Sequence, residues 1–157
     1  MIVPANDVRV RRPQLHEALM HELQTEAKFP TYRDILLFAA AVGFQQQRPV
    51  PFTNAAGDPI RYETMTAPPF SDTLINMIAA NVCSDDPEIM DAERLEERVK
   101  MFEEYANGGL DYIQEQINVR HKPANLVVID LVTEAIAENS GADPASVEDL
   151  LRGVTWS

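Results

Sequence analysis

The sequence predicts a mainly α fold: a compact helical bundle around one buried, alanine-rich helix, with a short two-stranded β ribbon, all within a single domain of residues 1–157. Three observations predict it. Apolar residues recur at three- and four-residue spacing through most of the chain, as in helices that bury one face. Ile35-Leu36-Leu37-Phe38-Ala39-Ala40-Ala41-Val42 is apolar on nearly every side, so other helices must cover it. Strand-like alternation is confined to two short segments, residues 8–11 and 60–64.

Taken in order, residues 1–12 read as an extended N-terminal arm, with Val8-Arg9-Val10-Arg11 alternating. Pro13 suits the first turn of a helix carrying Leu15, Leu19 and Leu23 at four-residue spacing to about Ala27, where Lys28-Phe29-Pro30 breaks it. Thr31 and Asp34 form an Asp version of the capping box, and Gly43 stands where a left-handed C-cap belongs, so the central helix is expected over residues 32–42. Residues 50–52 and 60–64 are expected to pair as the ribbon, with the turn residues of 54–58 between them. Ser71 is expected to cap a second apolar helix that points Leu74, Ile75, Met77, Ile78 and Val82 inward. A short helical turn through Met90 leads to a charged helix over 92–105, buried through Leu95, Val99 and Phe102 and stopped by Asn107-Gly108-Gly109. Helices over 110–118 and 123–139 follow, the latter ending at Gly141, and then a small terminal helix over 144–152. No internal repeat or low-complexity segment interrupts the chain.

The chain is long enough to bury a core without metals or disulfides. Its single cysteine, Cys83, excludes an internal disulfide and fits a reducing compartment. No basic leader precedes an apolar stretch, and no apolar run approaches the roughly 20 residues of a membrane span. The expectation is a soluble, cytoplasmic protein without a membrane partner.

The net charge of −12 is unevenly placed. Residues 1–48 hold six basic and five acidic residues, net +1, which leaves −13 for residues 49–157. Such a charge disfavours adsorption to nucleic acid or anionic membrane. If DNA is contacted, the surface is the N-terminal third, through Arg9, Arg11, Arg12, Arg33 and Arg48. The acidic remainder suits a basic protein partner, with Glu96, Glu97, Glu103 and Glu104 as its candidate contacts, or else serves solubility.

Catalytic chemistry is sparse. His16 and His21 are five residues apart, roughly 140° around a helix, and cannot clamp one metal as an i, i+4 pair does; both read as surface histidines. His121 has no acid or cysteine at ligand spacing. Cys83 reads as a packed small residue. Glu93, Glu96, Glu97, Glu103 and Glu104 read as one solvated helix face, not as carboxylates converging on two metals. Asn107-Gly108-Gly109 reads as a helix terminator, with an anion nest as the functional alternative. Tyr32, Phe38, Phe44 and Phe102 read as core. There is no P-loop, dinucleotide fingerprint or nucleophile elbow, so no catalytic residue, cofactor or metal is expected and the protein is not read as an enzyme.

Phe29-Pro30-Thr31-Tyr32-Arg33-Asp34-Ile35-Leu36-Leu37-Phe38-Ala39-Ala40-Ala41-Val42-Gly43, Pro59-Ile60-Arg61-Tyr62 and Phe102-Glu103-Glu104-Tyr105-Ala106-Asn107-Gly108-Gly109-Leu110 together resemble the family of DNA phosphorothioation-associated protein 4. The resemblance covers roughly residues 10–120 and leaves 121–157 outside it. That family accompanies bacterial Dnd systems, which replace a DNA backbone oxygen with sulfur and restrict DNA lacking the mark. More distantly, the order of elements is similar to DndE, the small subunit of the modification machinery, a compact helical protein that forms tetramers and binds DNA. The resemblance implies an accessory role in phosphorothioation-linked restriction and anti-phage defence, through a protein subunit of that machinery. It implies as alternatives a DndE-like DNA contact and a homo-oligomer. The acidity of this chain departs from a DNA-binding surface.

Overall fold

A computed structural model describes residues 7–139. In chain order they form β1 (Arg9–Pro13), a 3-10 turn (Gln14–His16), α1 (Glu17–Thr25), α2 (Tyr32–Gln45), β2 (Ala55–Arg61), α3 (Tyr62–Met65), α4 (Ser71–Val82), 3-10 turns at Pro87–Met90 and Ala92–Arg94, α5 (Leu95–Arg120) and α6 (Ala124–Asn139). The mainly α architecture with a small ribbon is the one the periodicities predict. The expected terminus at Gly141, the helix over 144–152 and residues 1–6 of the arm lie outside the described residues.

At the centre α2 packs chiefly against α5, and α1, α4 and α6 surround the pair. The Thr31 hydroxyl accepts from Asp34 N–H at 3.2 Å and donates to Asp34 Oδ2 at 2.7 Å, so the capping box is present. Ile35, Leu36, Ala39, Ala40, Val42 and Gly43 are buried, which leaves α2 a narrow exposed strip at Ala41 and Gln45. Thus α2 is the core helix that its composition demands.

The glycines correct the sequence reading. Asn107-Gly108-Gly109 does not stop a helix: α5 runs through it for 26 residues, absorbing the helix expected over 110–118. Gly43 likewise sits inside α2 and not at its C-cap. The left-handed positions at the ends of α2 and α5 belong instead to Gln47, φ 52°, and His121, φ 53°. The glycines are needed for proximity. A Cβ on Gly109 would overlap the Ala39 carbonyl, one on Gly43 would overlap the Tyr105 carbonyl, and one on Gly108 would overlap the carbonyl of Arg48. Two helix backbones and the loop after α2 meet with no side chain between them. Because Gly108 and Gly109 lie within the helical ladder, an anion nest is ruled out as well.

The ribbon also differs from expectation. β1 pairs antiparallel with β2, Arg9 opposite Arg61 and Pro13 opposite Ala55, with an irregularity between Val10 and Arg12. Residues 50–52 form no partner strand, because the backbone N–H and C=O of Val50 are engaged by α5. Val50 N–H donates to Glu104 O at 2.9 Å and Asn107 Nδ2 donates to Val50 O at 2.9 Å, holding this segment flush on α5. After Arg61 the chain turns into α3, so residues 62–64 are helical rather than extended.

Smaller corrections have local causes. Pro13 closes β1, and Leu15 in the following 3-10 turn is 83% exposed, while Leu19 and Leu23 are buried as expected. Ser71 is the first residue of α4, not its cap; Phe70 at φ 69° makes the turn. Ile75, Ile78 and Ala79 form the buried face of α4, leaving Met77 and Val82 exposed.

Candidate functional site

Two sets of charged residues are the candidate surfaces, and the fold deals with each differently. The five arginines do not converge. Arg33 and Arg48 flank opposite ends of α2, a helix of 14 residues and so about 21 Å long. Arg9, Arg11 and Arg12 belong to β1.

Most of the arginines are held by the protein itself. Arg11 donates through Nη2 to Glu103 Oε1 at 3.0 Å and through Nε at 3.3 Å, while its backbone N–H donates to Glu103 Oε2 at 2.6 Å. The same guanidinium lies 4.8 Å from the Phe52 ring. Arg12 stacks 4.7 Å over Tyr32, with Glu17 Oε1 3.9 Å away. The break in ribbon register between Val10 and Arg12 accompanies this divergence: one arginine reaches α5, its neighbour the start of α2. Arg33 donates to Asp34 at 3.1 Å. Arg48 donates to Glu115 at 2.6 Å and Asp111 at 3.1 Å. Arg9 is exposed.

The acidic set splits as well. Glu96 and Glu97 are exposed on the first turn of α5, and Glu104 is half-buried. Arg94 binds Glu97 at 2.8 Å, holding its carboxyl below the usual range, and binds Asp86 at 2.6 Å. Glu103 corrects the picture of a single solvated face: it is 4% exposed. Burial pushes its carboxyl upward, and the bonds from Arg11 pull it back. Glu103 thus ties β1 to α5.

Three buried polar residues carry structural roles that the sequence reading missed. Arg98 donates to the carbonyls of Ile89 and Asp91, each at 2.7 Å, and to Asn76 Oδ1 at 3.1 Å, fastening the 3-10 segment to α4 and α5. Its spacing gave a signal, since it lies three residues after Leu95 and four before Phe102, on the inward stripe. Asn107 anchors the loop at Val50, as described. His16 is buried rather than at the surface; burial lowers its imidazole pKa, with Asp111 3.9 Å away opposing the shift. His21 is exposed. Cys83, at the end of α4, is half-buried with its Sγ 3.9 Å from Met101 Sδ. Among the described residues no group of three His, Cys, Asp or Glu side chains could hold a metal ion, and no helix is long and apolar enough to cross a membrane.

The profile of the DNA sulphur modification system-associated protein 4 family matches residues 9–150. The chain belongs to this family. The match runs past α6, beyond the residues 10–120 that carry the resemblance in the sequence, so membership embraces the ribbon, the α2–α5 crossing and α6 together. Family members are associated with the DNA sulphur modification, or Dnd, system. No curated protein and no solved structure matches the chain.

Proposed function

We propose that this protein is a non-enzymatic accessory component of phosphorothioation-linked restriction and anti-phage defence, acting in the cytoplasm by binding a protein subunit of that machinery. The observation that carries this reading is the engagement of the arginines. Arg11, Arg12, Arg33 and Arg48 already face carboxylates of the same chain. A DNA phosphate would have to displace those partners, against a net charge of −12. Exposed Glu96 and half-buried Glu104 offer a basic protein surface an approach that needs no such exchange, whereas Glu97 already holds Arg94.

Charge reversal separates this reading from a DNA-binding module. Glu96→Lys, Glu97→Lys and Glu104→Lys together should slow association with the partner subunit by about tenfold at low salt, with the deficit shrinking as salt rises, because rim charges steer encounter. Arg9→Glu should leave that rate nearly unchanged. If the triple glutamate variant restricts phage as wild type does, while Arg9→Glu weakens DNA binding and lowers its salt slope by about one unit, DNA is the ligand and the reading fails.

A further inference from the structure

α6 is apolar on both sides. Ala124, Val127 and Leu131 face the core, yet Ile129, Val132 and Ile136 are 58%, 42% and 66% exposed at three- and four-residue spacing. A helix that is apolar all round is expected to be covered all round. The exposed stripe continues into a groove of about 550 Å³ between α2, α4 and α6, floored by Phe38, Val42 and Phe44 and edged by Met77. Met77 is itself 40% exposed, so the apolar surface crosses all three helices.

The helical stretches that form this surface supply acids and no base of their own. Residues 35–47, which include most of α2, contain no lysine or arginine; neither do α4 and α6. Four acids punctuate the outer helices: Asp72 on α4, and Asp130, Glu134 and Glu138 on α6. Arg120 and Lys122 hold Asp130, and Arg120 also holds Glu134. Glu138 accepts only from the neutral Gln45 amide, at 3.1 Å. Asp72, at the start of α4, lies near Tyr62 and does not line the groove. An apolar floor with an acidic rim fits an occupant that is apolar in the middle and basic at its edges.

Two occupants of the same chain fit less well. Residues 140–157 follow directly on α6 but carry Asp143, Glu148 and Asp149 against Arg152 alone. A second copy would set two chains of net charge −12 face to face.

Resting on the reading that this protein binds a protein subunit, we propose that the groove between α2, α4 and α6 seats an amphipathic helix of that subunit, apolar on its docked face and flanked by lysine or arginine. The apolar floor supplies affinity and the acidic rim supplies orientation and association rate. This surface is separate from the glutamates at the start of α5.

The test uses the full chain and each purified protein subunit of the phosphorothioation-linked modification and restriction complexes as probes. Binding is followed by interferometry for wild type, for Ile129→Gln/Ile136→Gln and for Glu138→Lys. All three positions are exposed, and unchanged melting of each variant confirms folding. The apolar variant should weaken binding of one subunit at least about tenfold at every salt concentration, as for a lost central anchor. The rim variant should slow association at low salt only. A subunit that binds both variants as tightly as wild type overturns this docking site and leaves the protein-binding function standing. If no subunit binds wild type at all, the function itself falls. Sedimentation showing a wild-type dimer that the apolar variant dissolves assigns the groove to a second copy and overturns the proposal. So does a blue-shifted emission from Trp156, the sole tryptophan, that moves red in the apolar variant, since the chain's own terminal segment is then the occupant.

Discussion

Replacing Gly109 with alanine tests the α2–α5 crossing through the sign of the effect. In an ordinary exposed helix interior, glycine to alanine stabilises by about 1 kcal/mol, because alanine loses less backbone entropy on folding. Here the added Cβ would lie 2.5 Å from the Ala39 carbonyl carbon and 3.0 Å from Gly43 N, both inside the 3.4 Å at which ordinary contact begins. The obstructing atoms are backbone, so no rotamer change relieves them. The Ala39 carbonyl oxygen lies nearer still, so α2 and α5 must separate locally by more than about 1 Å, which opens the most extensive helix contact of the fold. Overpacking of this kind costs about 1–3 kcal/mol, and backbone against backbone belongs at the upper end. For a chain of this length, about 3 kcal/mol corresponds to a Tm lower by roughly 6–12 °C. Urea and thermal melts followed by circular dichroism read this directly. A Gly109→Ala variant as stable as wild type, or more stable, would refute the close crossing and restore the view that Asn107-Gly108-Gly109 merely ends a helix.

The remaining predictions concern buried charge. Arg11→Met leaves Glu103 buried without its cation and should cost about 2–3 kcal/mol near neutral pH, below the usual range for a broken buried pair because Arg11 is itself 39% exposed. Glu103 has a folded pKa above its ordinary 4.5, so its contribution is fully present below that value and is lost as pH rises through the folded one. The Arg11→Met deficit should therefore be small in acid and grow toward pH 7; urea midpoints with the same deficit at both ends would contradict the pairing. Arg11→Met/Glu103→Gln should recover most of the loss, since glutamine has no charge to desolvate and its Oε1 still accepts from the backbone N–H of residue 11. His16 shows the opposite sign: its folded pKa lies below 6.5, so its contribution is present above that value and lost as pH falls through the folded one. His16→Gln should flatten the fall in stability between about pH 7 and 5, and an unchanged slope would show that His16 is not held neutral.

The fold was legible where burial is written as periodicity. The apolar breadth of residues 35–42 predicts the central helix, and Thr31 with Asp34 marks its start. What misled was glycine, whose two uses look alike in a sequence. A left-handed turn and a close backbone approach both demand a missing Cβ, and only the position of Ala39 and Tyr105 in space tells them apart. Strand pairing failed for a related reason: alternation shows that residues 8–11 and 60–61 are extended but not which segment completes the ladder. Of the charged candidates, Arg9, Glu96 and Glu97 lie on the surface as expected. Glu103 does not, because its burial depends on Arg11, 92 positions away in the sequence. No local pattern encodes such a pairing.

Co-purification is the most direct test of the claim that this chain works by holding a protein subunit of the phosphorothioation-linked machinery. The tagged full-length chain is isolated from cells carrying the complete defence cluster, with and without nuclease, and bound components are quantified by mass spectrometry. The account predicts one protein of the modification or restriction complex in near-equal amount, retained after nuclease treatment. Recovery of DNA with no protein of the cluster, or loss of every cluster protein on nuclease digestion, would contradict it.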